Sequence, residues 1–114
     1  MQHEIKKITR IVDEMLTMFM MTGTHEMDVR IQKEQDKTSI YFTQYGSTFD
    51  DDYIEQLENN LNIQRQCEVE GYYWQLTGEN DMDEQLFLVG AMIDQVIIEK
   101  EEGKLSIELV RFNP

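Results

Sequence analysis

Cysteine is almost absent from this 114-residue chain: Cys67 stands alone. One thiol cannot close an intrachain disulfide, so nothing in the composition asks for an oxidising compartment. Basic residues are scarce as well, 10 Lys and Arg against 23 Asp and Glu, for a formal net charge of −13. Binding to a duplex or to an anionic membrane surface needs a cationic footprint, and this balance argues against both. No apolar run approaches the roughly 18 residues of a membrane span. The N-terminus carries no signal-peptide pattern, so the expectation is a cytoplasmic protein. Repeats and low-complexity segments are also lacking.

What is there fits one folded domain over residues 1–114, with 40% hydrophobic and 29% charged residues. A chain of this length can bury roughly two-thirds of its unfolded surface. The acidity is segregated. Residues 1–37 hold six bases and seven acids, and residues 100–114 hold three of each. Residues 38–99 hold 13 acids and one base, Arg65, for a local charge of −12. That stretch repels polyanions whatever its fold.

Hydrophobic spacing predicts a first helix from Gln2 to Thr22, with Ile5, Ile8, Val12, Met15, Leu16 and Phe19 forming its stripe and Glu4, Lys7, Arg10 and Glu14 lying off it. Met18 to Met21 turn the pattern apolar all round, so the helix is expected to end buried, with Gly23 as C-cap. Met27, Val29 and Ile31 alternate with polar residues, a polar 34–37 turn follows, and Ile40, Tyr41, Phe42 and Tyr45 complete a hairpin. Asp50, Asp51 and Asp52 open a second helix to about Leu61, where acids suit the positive end of the helix dipole. Residues 62–82 give no clear pattern. A third helix is expected from Asp83 to Asp94, followed by strands at 96–98 and 105–112 around a Glu101-Glu102-Gly103 turn. Apolar faces of both periods predict an α+β fold, a two-layer sandwich with helices on one face of a mainly antiparallel sheet.

Three segments carry a family resemblance. The first is Glu14-Met15-Leu16-Thr17-Met18-Phe19-Met20-Met21-Thr22-Gly23, the second Phe42-Thr43-Gln44-Tyr45-Gly46-Ser47-Thr48-Phe49-Asp50. The third runs from Asp83-Glu84-Gln85-Leu86-Phe87-Leu88-Val89 to Met92-Ile93-Asp94-Gln95-Val96. In order and spacing they resemble E-A-x-T-N-A-I-x-H-G, V-x-D-x-G-x-G-x-D and G-x-G-L-x-L-V…L-x-D-x-V of the histidine kinase-like (GHKL) ATPase superfamily, most closely its anti-sigma-factor serine kinases. The likeness spans about residues 13 to 112, and the first strand and helix usual in those kinases are missing. It implies a nucleotide pocket formed by Glu14, Met18, Thr22, Gln44, Gly46, Thr48, Asp83 and Gln85.

The departures matter more than the matches. The family's Mg²⁺-binding asparagine falls at Met18, and a thioether is a poor ligand for a hard cation. Its adenine-accepting aspartate falls at Gln44, which lacks the carboxylate's charge. Its second glycine falls at Thr48, and the glycines that wrap the phosphates fall at Asp83 and Gln85. Asp81, Asp83 and Glu84 put fixed negative charge where a helix N-terminus would otherwise attract phosphate. Only Glu14, matching the water-activating acid, and Gly46 survive unchanged. The expectation is therefore no catalytic residue and no cofactor; the alternative is a divergent Mg-ATP-binding serine kinase that still uses Glu14, Gln44 and Gly46, with Glu14 as its catalytic residue.

The remaining constellations are bland. His3 and His25 lack metal-ligand spacing, Cys67 has no histidine partner nearby, and the acids at 50–52 and 79–84 do not follow a calcium loop. No metal site is expected. Met15, Met18, Met20 and Met21 fit either a core or an adaptable surface. Tyr72, Tyr73 and Trp74 are candidate partner-binding residues that could equally fill the vacated pocket. These features point to a protein-interaction or regulatory domain whose partner, by family resemblance, is a bacterial transcription or signalling regulator. Self-association is open through the first helix or through the final strand as a sheet edge.

Overall fold

The computed structural model describes residues 2–22, 24–46, 49–62 and 82–113, with the side chains of residues 2, 3 and 82–85 outside that description. Helix α1 spans Gln2–Met21, followed by strands β1, Glu26–Lys33, and β2, Lys37–Tyr45. Helix α2 covers Asp51–Leu61 and α3 covers Met82–Gly90. Strands β3, Gln95–Glu101, and β4, Lys104–Phe112, close the order. The four strands form one antiparallel sheet in the order β1-β2-β4-β3. The fold is α+β, a two-layer sandwich, as its two hydrophobic periods predict.

Alternation decides which sheet face is buried. Ile40 and Phe42 of β2 and Leu105, Ile107 and Leu109 of β4 point into one core with Ile8, Ile11, Met15, Met18 and Phe19 of α1. Leu57 and Leu61 of α2 and Leu86 and Val89 of α3 complete it. Phe19 meets Phe42 edge-on at 5.5 Å, pinning the end of α1 to the middle of the sheet. At the other end, Arg111 is buried and its Nε and Nη2 donate to the Glu4 carboxylate at 2.6 and 2.9 Å, while Nη1 donates to the Met92 carbonyl at 2.7 Å. That fork ties α1, β4 and the turn after α3 together.

Four expectations need correction. The buried face of α1 centres on Ile11, Met15 and Met18, so Ile5 is exposed and Glu14, expected off the stripe, is buried. Residues 11, 14, 15 and 18 share one face by their spacing. Met20 and Met21 are exposed, so the helix does not end buried all round. Helix α3 stops at Gly90 rather than Asp94, where Met92 and Ile93 donate to carbonyls three residues back. Glycine is a poor interior helix residue, and the bonds tighten there into a turn. Finally, β4 lies inside the sheet between β2 and β3, so the final strand is not an edge; the edges are β1 and β3.

Candidate functional site

Of the residues implied by the resemblance, Thr22 and Gln44 meet where the end of α1 lies against the end of β2 and the start of α2. Helix α1 runs out there, its Thr24 N–H reaching back to the Phe19 carbonyl at 3.2 Å and its Thr22 N–H to Met18 at 3.0 Å. Strand β2 delivers Gln44 to the inner face, fully buried. Asp50 starts α2, its carboxylate accepting from the Tyr53 N–H at 2.8 Å, as an N-cap aspartate does. That cap places Tyr53 one turn inside the helix, stacked on Phe49 with ring centroids 6.3 Å apart.

These placements produce a closed polar knot. The Gln44 amide nitrogen donates to Thr24 Oγ1 at 2.7 Å, and its carbonyl oxygen accepts from the Tyr53 hydroxyl at 3.4 Å. Burial pushes the Tyr53 phenol above its ordinary 10.0, opposed by its hydrogen bonds with Gln44 and Thr22. Thr22 Oγ1 itself donates to the Phe19 carbonyl at 2.9 Å. Met18, at 1% exposure, belongs to the apolar core. Glu14 is held by Arg10 at 3.0 Å across one helical turn. Gly46 donates its N–H to the Gly103 carbonyl at 3.1 Å, and a Cβ on it would meet the Phe49 ring edge at 3.8 Å, ordinary contact. Gly103 itself sits at φ +80, where glycine is the natural residue.

The structure thus brings Thr22 and Gln44 together with Thr24 and Tyr53, and keeps Met18 and Gly46 close by in sequence on the same elements. Asp83 and Gln85 lie in the first turn of α3, their side chains outside the described residues. Thr48, Cys67, Tyr72, Tyr73 and Trp74 also lie outside them, as does the side chain of His3. His25 is exposed. Thr24 and Tyr53 escaped the sequence reasoning because neither falls in a motif; the available signal was an aspartate N-cap with an aromatic three residues later.

Among the described residues, few groups suit a magnesium–nucleotide complex. Met18 offers sulfur where oxygen is required, both ends of the Gln44 amide are engaged within the protein, and the Glu14 carboxylate is paired. Among the described residues no group of three or more His, Cys, Asp or Glu side chains is arranged to hold a metal ion. No helix of the described residues is long and apolar enough to cross a membrane. No family model matches the chain, and neither do any of the curated proteins or solved structures.

Proposed function

We propose that this chain is a non-catalytic regulatory or protein-interaction domain, built on a histidine kinase-like ATPase type of fold whose Mg-ATP motifs are degraded. The observation that carries the reading is the Gln44 knot. The side chain at the position expected to grip adenine spends its donor on Thr24 and its acceptor on Tyr53. The amide is also fully buried, so a ligand would have to displace a group that covers it, and a bond broken in a buried site leaves a group unsatisfied at about 1–3 kcal/mol. Among the described residues the element order α-ββ-α-α-ββ is in keeping with that resemblance without the first strand and helix usual in those kinases, and the charge of −12 over residues 38–99 adds a like-charge penalty for a triphosphate. The partner would be a protein, in the class of transcription or signalling regulators.

The test is a thermal melt with and without millimolar Mg-ATP or Mg-ADP. The expected result is an unchanged Tm. A ligand present at about 100 times its Kd stabilises by roughly 2.7 kcal/mol, a shift of several degrees for a domain this size. Such a shift would overturn the reading and direct attention to phosphotransfer, with Glu14 as the base.

A further inference from the structure

The two open edges of the sheet are unequal. On β3, Val96 and Ile98 pack against the core, Lys100 reaches Asp51 of α2 at 3.6 Å, and Glu99 and Glu101 add charge. The charges of β3 sum to −1, so two copies of this edge repel each other. On β1, Met27 packs against the core, but the inward-facing Val29 and Ile31 are uncovered, 38% and 46% exposed. Ile5 of α1, 52% exposed, lines an open groove of about 400 Å³ with Ile8, Lys33, Glu34, Thr38 and Asn113 at the same side.

We propose that β1 is the contact edge of a symmetric homodimer, in which two copies pair this strand antiparallel with Val29 on the two-fold axis. Three observations select that occupant and register. The Glu34 N–H bonds the Lys37 carbonyl at 2.8 Å in register with the β1–β2 ladder. Antiparallel bonding alternates, so Met27, Val29 and Ile31 turn their N–H and C=O groups away from β2 toward the open edge. Pairing of two such edges must therefore set odd residues opposite odd ones.

Charge then chooses among the registers. With Val29 facing the partner's Val29, Asp28 faces the partner's Arg30 and Met27 faces the partner's Ile31, each twice by symmetry. A shift one way sets Arg30 against the partner's Arg30, and a shift the other way sets Asp28 against the partner's Asp28. Like charges directly opposite are destabilising, so Val29 is the centre that avoids them. The side chains are already fixed for this role. Asp28 accepts from the Tyr45 hydroxyl at 2.7 Å, and the Arg30 guanidinium lies 5.5 Å over the Tyr41 ring, with no carboxylate partner among the described residues.

Charge also chooses the place. Two chains of −13 each repel, but Glu26–Lys33 carries two acids and two bases, so the strand is neutral. A second copy meets its least hostile surface there. The proposal does not depend on the state of the nucleotide pocket.

The experiment is sedimentation equilibrium on the full chain at micromolar concentrations, with each variant's fold checked by circular dichroism. The wild type is expected at twice the 13.6 kDa chain mass. Arg30→Asp turns two attractive pairs repulsive and should weaken the dimer about tenfold or more. Val29→Lys, which sets two ammonium groups at the axis, should do the same from an exposed position. The double swap Asp28→Arg with Arg30→Asp restores opposite charges across the axis and should recover most of the loss. A monomeric wild type overturns the proposal. So does a dimer indifferent to Arg30→Asp and Val29→Lys, or a double swap as weak as the single variant.

Discussion

At the scale of single residues, the buried charges among the described residues, Glu14 and Arg111, are each answered by another group. Arg111 is 1% exposed, yet its guanidinium meets the Glu4 carboxylate twice and a main-chain carbonyl once. Breaking one side of such a pair strands the other. Glu4→Leu takes this carboxylate away from a buried guanidinium that keeps its bond to the Met92 carbonyl, and the expected loss is about 3–5 kcal/mol of unfolding free energy, measured by urea denaturation. A loss under about 1 kcal/mol would place the pair in the class of solvated surface bridges instead. Tyr53 gives a pH-dependent counterpart. Burial raises its phenol above 10.0, so the folded state holds that proton more tightly than the unfolded chain does. Its contribution to stability is complete below about pH 10, the unfolded value, and is lost as pH rises through the raised folded value. The slope of stability against pH above 10 should therefore be shallower in Tyr53→Phe than in the wild type. Equal slopes in the two proteins would remove burial of this phenol as a cause.

At the scale of elements, local periodicity was legible and long-range placement was not. The alternation at 27–31, 40–45 and 105–112 marks strands, and those residues do lie in β1, β2 and β4; the apolar set is buried on β2 and β4, whereas Val29 and Ile31 of β1 are exposed, so the hairpin's expected buried face holds on one strand and fails on the other. The expected stripe of α1 holds at Ile8, Met15 and Phe19, with Val12 and Leu16 partly buried beside them, but misses Ile11 and Met18 and wrongly includes Ile5, which has the chemistry of a core residue and is 52% exposed. Glu14 has the chemistry of a surface residue but shares a face with Ile11 and Met18, and Arg10 resolves the conflict. That β4 inserts between β2 and β3 could not be read from the chain, because sheet order depends on contacts across 60 residues and more. The same holds for the Gln44 knot: Gln44 and Asp50 were visible as motif letters, while Thr24 and Tyr53 join them only through space. The start of α2 was legible to within one residue: Asp51 and Asp52 lie in its first turn, while Asp50 caps it from outside. Asp50→Ala removes the acceptor for the Tyr53 N–H and should cost about 1 kcal/mol. Because that cap also aims Tyr53 at Gln44, a thermal melt should drop by about 4–8 °C or slightly more. Asp50→Asn, which keeps the cap oxygen, should stay within a few tenths of a kcal/mol of the wild type.

At the scale of the whole molecule, the decisive quantity is charge. The sheet and helices bury a continuous apolar core, yet the chain carries 23 acids against 10 bases. Most of the imbalance falls in residues 38–99, and it includes the exposed first turn of α2, where Asp51 and Asp52 follow Asp50. The helix dipole offsets part of that local cost by fractions of a kcal/mol, but the summed repulsion across the folded surface has no internal partner of equal size. Folding draws these acids closer than the unfolded chain does, so screening should favour the folded state. Raising sodium chloride from about 10 to about 150 mM shortens the screening length from roughly 30 to 8 Å, which covers the separation of neighbouring surface carboxylates. The expected outcome is a Tm that climbs with salt over that range and then levels off. The same titration on a variant with several of the 50–58 acids changed to Gln or Asn should show a smaller climb from a higher starting point. A Tm that falls with added chloride would mean that ion pairs such as Arg10–Glu14 and Lys104–Glu101 outweigh the repulsion, and that the acidic surface costs the fold little.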